Sequence, residues 1–242
     1  LCESDNTRYM RGYKSNIQIF SKLSIRKCSE CQAHFANPMP LPDILNSYYK
    51  EIYRSEISAW QLQTKPSPWG SVLARSRSQI NFVSKYIDNT DDRIDQRVDS
   101  WLDIGAGYGF LLDEGRKAGI KVFGAVEPDI KSYDRLKKHF KVYNSIGMVT
   151  DKWDIISFSH VFEHISEPVK FLTHVKELLS NRGLVFCEVP NEILLEIAKE
   201  DTPHVLFFQM DSLRYFFEKM GFEIINIQSC GGIVKQGKNA VK

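Results

Sequence analysis

Three groups of residues in this 242-residue chain have types and spacings that could do chemistry, and the first is a glycine loop. In "WLDIGAGYGF", Gly105, Gly107 and Gly109 fall at alternate positions behind an apolar strand-like run, with Asp103 just ahead of them. Such a loop lets backbone N–H groups meet a ligand at a helix N-terminus, where the dipole favours negative charge. The dinucleotide fingerprint places its glycines at offsets zero, two and five. Here Gly109 stands at offset four and Phe110 at five, which fits nicotinamide binding poorly. Glu127 closes the next strand-like run, "GAVEPD", where a carboxylate accepts both hydroxyl hydrogens of a ribose. Asp103 adds a second negative charge, which repels a pyrophosphate and suits a ligand carrying an ammonium and a sulfonium.

The second group is "SFSHVFEHI", at the carboxyl end of a further strand-like run, where open parallel sheets bind ligands. His160, Glu163 and His164 fall within about one helical turn. Histidine titrates near neutral pH, so His164 and His160 are candidate proton acceptors, with Glu163 to orient them. His160 has the alternative of lining the ligand pocket through its backbone. His204, in "DTPHVLFFQMDSL", lies on a loop that would cap the substrate side and is a further candidate, whereas His139 and His174 read as ordinary helix residues.

The third group is "RKCSECQAHFANPMP". Its Cys28-x-x-Cys31 spacing lets two thiolates grip one tetrahedral zinc ion, with Cys2 as third ligand and His34 as an alternative fourth. The competing reading is two reduced thiols without metal. Five cysteines, an odd count without an export signal, argue against a disulfide framework, and Cys187 and Cys230 read as small buried hydrophobes.

The elements that must position these groups follow from the pattern. Residues 1–60 form a small irregular module with Pro38, Pro40 and Pro42, and Tyr48, Tyr49, Tyr53 and Trp60 in it serve either packing or a lid over the substrate. Residues 61–95 carry a bridging helix, with Val72, Leu73, Ile80, Val83 and Ile87 at helical spacing, followed by a polar linker. From 96 to 242 strands and helices alternate. "VDSWLDIG", "KVFGAVEP", "WDIISFSH", "LVFCEVPN" and "EIINIQS" are predicted strands. "FLLDEGRKAG", "DIKSYDRLKKHF", "EPVKFLTHVKELLSNRG" and "QMDSLRYFFEKMGF" are predicted helices, the third stopping near Asn181 and Gly183 and the last capped by Asp211 and stopped at Gly221. The expected fold class is α/β: a Rossmann-like, doubly wound, mostly parallel sheet with helices on both faces.

Hydrophobic residues make up 43% of the chain, enough for a substantial core. Lys and Arg number 32 against 30 Asp and Glu, a net charge of +2, so no global field selects nucleic acid or an anionic membrane. No run approaches the roughly 20 apolar residues of a membrane span, and "LCESDNTRYMRGYK" is too polar for a secretory signal, which gives a cytoplasmic expectation.

With all three groups in view, the sequence resembles the class I S-adenosylmethionine-dependent methyltransferases over about residues 96 to 230. "LDIGAGYGF" is similar to their first motif, "AVEPD" to their ribose-binding strand end, and "WDIISFSHVFEHISEPVKFLTHVKELLSNRGLVFCEVPN" to their central strand, helix and fifth strand. The resemblance implies S-adenosylmethionine as cofactor. Asp103, Gly105, Ala106, Gly107 and Gly109 would surround its methionine end, Glu127 and Pro128 its ribose, and Ser159 and His160 would line the pocket. Relatives often bind the adenine amino group through an acidic residue after the third strand; this chain has "KVYNSIGMVTDKWD" there, with Asp151 late. "RKCSECQAHFANPMPLPDILNSYYKEIY" resembles the N-terminal zinc-binding segment of methyltransferases acting on nucleotide-linked sugars and other small metabolites. The implied reaction is methylation of an oxygen or carbon of a small polar metabolite, with a sugar or nucleotide sugar as the expected acceptor. The alternative is a zinc-bearing nucleic-acid-binding protein or an RNA-directed methyltransferase, which the near-neutral charge disfavours.

Overall fold

The alternating runs assemble into a five-stranded, wholly parallel sheet: β4 (Ser100–Ile104), β5 (Val122–Val126), β6 (Lys141–Tyr143), β7 (Trp153–Ser159) and β8 (Leu179–Glu188), in spatial order β6-β5-β4-β7-β8. The computed structural model describes residues 4–49, 69–87, 98–191 and 200–230. From β4 the chain winds outward to β5 and β6, then returns to place β7 and β8 on the other side. The switch point therefore lies between β4 and β7, where an open parallel sheet forms its ligand crevice.

Both faces of the sheet are buried, which is why its strands read as near-continuous apolar runs. Trp101, Phe123, Ala125 and Ile155 face one core with Ile80, Val83, Leu111, Leu112 and Leu136. Leu102, Ile104, Val126, Ile156 and Phe158 face the other with Phe162, Phe171, Leu172, Val175 and Phe216. The helices that supply those residues are α2 (Trp69–Val83), α3 (Phe110–Lys117), α4 (Ile130–Leu136), α5 (Pro168–Leu178) and α6 (Met210–Lys219). Local chemistry sets their ends. Asp129 caps α4 by accepting from the Ser132 N–H at 2.9 Å, Pro168 opens α5, and Gly119 and Gly221 take left-handed φ of 89° and 78° after α3 and α6.

Several expectations needed correction. The N-terminal module is not irregular: β1 (Thr7–Gly12), β2 (Ser24–Cys28) and β3 (His34–Asn37) form an antiparallel sheet, followed by the short α1 (Pro42–Tyr48). These strands are too short for period-two alternation to stand out, and the fourth member, β9 (Leu206–Phe207), arrives from the far end of the chain to pair with β3. α5 ends at Leu178, earlier than Asn181, because Leu179 turns extended and pairs with Trp153 while the Ser180 hydroxyl donates to Asp154 Oδ1 at 2.7 Å. The cap of α6 is Gln209 in a reciprocal pair with Ser212, and Asp211 sits inside the first turn. "EIINIQS" forms no strand among the described residues. No described helix is long and apolar enough to cross a membrane.

Candidate active site

The glycine loop crosses the carboxyl end of β4 at the switch point. Gly105 and Gly109 have left-handed φ of 74° and 79°, and a Cβ on either would collide, with Val161 Cγ2 at 2.4 Å and with Leu136 Cδ2 at 2.6 Å. Gly107 differs. Its φ is 55°, yet a Cβ there would meet nothing within 4 Å, so this is the loop's open side. Protein packing excludes side chains at the outer two positions, and space for a ligand remains at the middle one.

Glu127, 3% exposed at the end of β5, grips that middle position: its Oε2 accepts from the Gly107 N–H at 2.7 Å and its Oε1 from the Asp129 N–H at 2.9 Å. Asp103, 4% exposed on β4, accepts from the Ser157 hydroxyl of β7 at 2.6 Å, and that hydroxyl accepts from Trp101 Nε1 at 2.7 Å. Burial pushes the Asp103 carboxyl up to about 7; the Ser157 hydrogen bond opposes the shift and the Glu127 charge adds to it.

The histidines assemble one step further along β7. His160 has a left-handed φ of 54°, and its N–H donates to the Glu188 carbonyl at 2.9 Å, which turns the chain off the sheet edge into a 3-10 turn over Phe162–His164. Glu163 in that turn is 1% exposed, and three histidines converge on its Oε1: His160 Nδ1 at 3.3 Å, His164 Nε2 at 3.7 Å and His204 Nε2 at 4.0 Å. Neither Glu163 oxygen makes a well-formed hydrogen bond. Burial alone would raise the Glu163 carboxyl; His160, then the charges at His164, His160 and His204, bring it net below its ordinary value. Burial lowers His164, and burial followed by its proximity to His164 pushes His204 down to about 4.

His204 reaches this point because its loop is tied to the N-terminal sheet. Arg11 on β1 forms a bidentate pair with Asp201 at 2.6 and 2.7 Å, the Lys14 N–H donates to Asp201 Oδ2 at 2.6 Å, and the Tyr13 hydroxyl donates to the His204 carbonyl at 2.8 Å. Tyr49 packs edge-on against the His164 ring at 5.4 Å, while Tyr48 is buried against Phe20. Tyr53 and Trp60 lie outside the described residues.

The sequence-predicted residues thus fall into two adjoining clusters. Asp103, Gly105, Ala106, Gly107, Gly109 and Glu127 surround the loop, and His160, Glu163, His164 and His204 meet beyond it. Pro128 is exposed. Ser159 turns toward Glu188, donating to its Oε2 at 2.6 Å, with Gln79 of α2 donating to both residues. Asp151 is taken up by Lys141 at 2.5 Å and the Tyr143 hydroxyl at 2.7 Å. Cys28 and Cys31 flank the β2–β3 turn, each 2% exposed, but among the described residues no third metal-ligating group joins them, and Cys2 lies outside those residues. Sequence reasoning missed Ser157, Gln79, Glu188, Arg11, Tyr13 and Asp201. Only Ser157, a hydroxyl set among Ile155, Ile156 and Phe158, carried a visible signal.

Residues 74–227 match the family model described as a methyltransferase domain, which is well over half of the chain. The chain belongs to the methyltransferase-domain family. Over 109 residues, this methyltransferase domain is 27% identical to the ubiquinone biosynthesis O-methyltransferase of Actinobacillus pleuropneumoniae serotype 7, covering 38% of this chain and 46% of that one. Over 223 residues it is 24% identical to the C-methyltransferase NovU of Streptomyces niveus, covering 86% and 48% respectively. The chain therefore spans about half the length of the curated relatives it matches. In fold it is similar to a SAM-dependent methyltransferase from Archaeoglobus fulgidus, with a TM-score of 0.55 at 17% identity over 78% of this chain and 85% of that one. It is also similar to the plantazolicin methyltransferase BamL, solved with a triazolic desmethylPZN analogue and SAH, with a TM-score of 0.55 at 16% identity over 73% and 71%.

Proposed function

We propose that this chain binds S-adenosylmethionine across the β4–β7 switch point and transfers its methyl group to an oxygen or carbon of a small polar acceptor. The observation that carries the reading is Glu127. A buried carboxylate at the end of β5, held by Gly107 on the open side of a glycine loop, is the group a ribose diol requires. Asp103 lies beside it and supplies a negative charge for the methionine end. When bound, the cofactor supplies an electrophilic methyl on a sulfonium. The acceptor forms the new bond to that carbon as the carbon–sulfur bond breaks, and the sulfur leaves as a neutral thioether.

The acceptor's proton goes to His160 in this reading. Its side chain is 38% exposed against 12% for His164, and with Nδ1 facing Glu163 its Nε2 is left as the accepting atom. Glu163 orients the ring and steadies the charge that develops on it. Both oxygen and carbon transfer occur among the relatives, by their names. A sugar or nucleotide sugar is the acceptor class proposed, supported by the resemblance of the Cys28–Cys31 segment and by a NovU match that covers 86% of the chain.

Calorimetric titration with S-adenosylmethionine and S-adenosylhomocysteine tests the cofactor. Micromolar binding to wild type and none to Gly107→Arg is expected; a folded wild type that binds neither would overturn the reading. With an acceptor found in a nucleotide-sugar screen, His160→Gln should lower kcat by about 100-fold or more while leaving the S-adenosylhomocysteine affinity in place.

A further inference from the structure

The Glu163 cluster holds more nitrogen and oxygen donors than proton abstraction needs. His164, His204 and Glu163 each offer one ligand atom, all within 4.8 Å of one another. The two distances to Glu163 Oε1, 3.7 and 4.0 Å, are too long for hydrogen bonds. Donor atoms bound at about 2.0–2.2 Å to one tetrahedral zinc ion stand roughly 3.3–3.6 Å apart, so a closure of at most about an ångström would bring these three onto a shared ion.

The hydrogen bonding points the same way. His164 Nδ1 lies 3.4 Å from the Pro203 carbonyl. Donating its N–H there leaves the Nε2 lone pair facing Glu163, which is how an outer backbone carbonyl orients a metal-bound histidine. A carboxylate that is 98% out of solvent with no well-formed hydrogen bond on either oxygen lacks the compensation a buried charge requires, and a cation held between it and the two imidazoles would supply it. The frame is also rigid: the His204 N–H donates to the Asp201 carbonyl at 2.9 Å and its carbonyl accepts from Tyr13, while Asp201 is clamped by Arg11.

We propose that Glu163, His164 and His204 bind a divalent transition-metal ion of the zinc class through two imidazoles and one carboxylate, with a fourth position open beside His160. Three protein ligands and an open position are the arrangement of a zinc ion that takes up a water or substrate oxygen. His160 Nδ1, 3.3 Å from the same Glu163 oxygen, borders that position. The site is distinct from the Cys28–Cys31 pair and differs from it in ligand chemistry.

Cobalt(II) replaces zinc in such sites and reports its ligands by colour. The chelator-treated full chain, titrated with cobalt(II), is expected to take up one equivalent and develop visible ligand-field absorption, without the near-ultraviolet sulfur-to-cobalt band that thiolates give. Zinc should displace it. Glu163→Gln and His204→Ala should each weaken uptake by about 100-fold or more, given that outer partners alone change metal affinity 10–100-fold, with circular dichroism showing both variants folded. Absence of visible absorption in the folded wild type would overturn the proposal. So would absorption that keeps its strength in both variants or that carries the sulfur band. Titration with S-adenosylhomocysteine, run separately, reads the cofactor assignment, so either idea can fail while the other survives.

Discussion

The proposed cofactor end and the proposed acceptor end of this site adjoin at the carboxyl edge of the parallel sheet, yet they are built in opposite ways. At the cofactor end, β4 and β5 deliver Asp103, the glycine loop and Glu127 from two successive strand–helix units, and each buried carboxylate is hydrogen-bonded. At the acceptor end, Glu163 and its three histidines come together from the β7 turn and a distant loop, with the N-terminal sheet holding that loop in place and the carboxylate left without hydrogen bonds. A satisfied site is ready for its ligand with little rearrangement, whereas an unsatisfied one is held by its surroundings and waits for something to complete it.

The largest effect expected at the cofactor end comes from Glu127→Ala. Two ribose hydroxyl contacts to a charged acceptor contribute roughly 3 kcal/mol together, so affinity for S-adenosylhomocysteine should fall about 100-fold by calorimetry. The variant should leave the cobalt uptake described above unchanged. Loss of both would mean that the two ends fold as one unit and that the contrast between them is false.

A somewhat smaller effect should separate the ends from the other direction. Arg11→Met leaves the Asp201 carboxylate, whose side chain is fully buried, with the Lys14 N–H among its remaining partners. Breaking such a pair by removing one member costs about 2–3 kcal/mol of stability, at the low end because Arg11 is partly exposed. Urea denaturation should show that loss. With the His204 loop loosened, methyl transfer should fall while S-adenosylhomocysteine affinity stays within about twofold, since the Arg11–Asp201 pair ties down the His204 loop rather than the glycine loop. Equal damage to both would place the N-terminal sheet in the cofactor site as well.

The same contrast explains what could be read from the sequence. The glycine loop and Glu127 were legible because each sits at the end of a strand, and strand ends are marked by apolar runs and glycines. His160, Glu163 and His164 were legible as a short segment for the same reason. Their joining to His204 was only partly visible, because Arg11–Asp201 and the β3–β9 pairing link residues far apart in the chain, and a two-residue strand has no periodicity to detect. Gln79 was hidden inside a helical pattern, and Ser157 stood out only as a polar exception in an apolar run; both make sense only once their partners are in place.

Asp103 gives the subtlest prediction, because one carboxyl should produce two opposite pH dependences. Its folded value of about 7 lies above the ordinary 3.8, so the folded protein binds more protons than the unfolded chain between those values. The stability this contributes is complete below about pH 4 and is lost as pH rises through about 7. Binding runs the other way: a sulfonium and an ammonium favour the ionised carboxylate, which is about a tenth populated at pH 6 and about nine tenths at pH 8. Affinity for S-adenosylmethionine should therefore rise nearly tenfold across that interval while stability falls up to about pH 7 and then levels. Asp103→Asn keeps the hydrogen-bonding shape beside Ser157 and should flatten both curves, leaving affinity near its low-pH level. If the tenfold rise persists in that variant, the titrating group belongs elsewhere, and the cofactor end owes its charge selectivity to Glu127 alone.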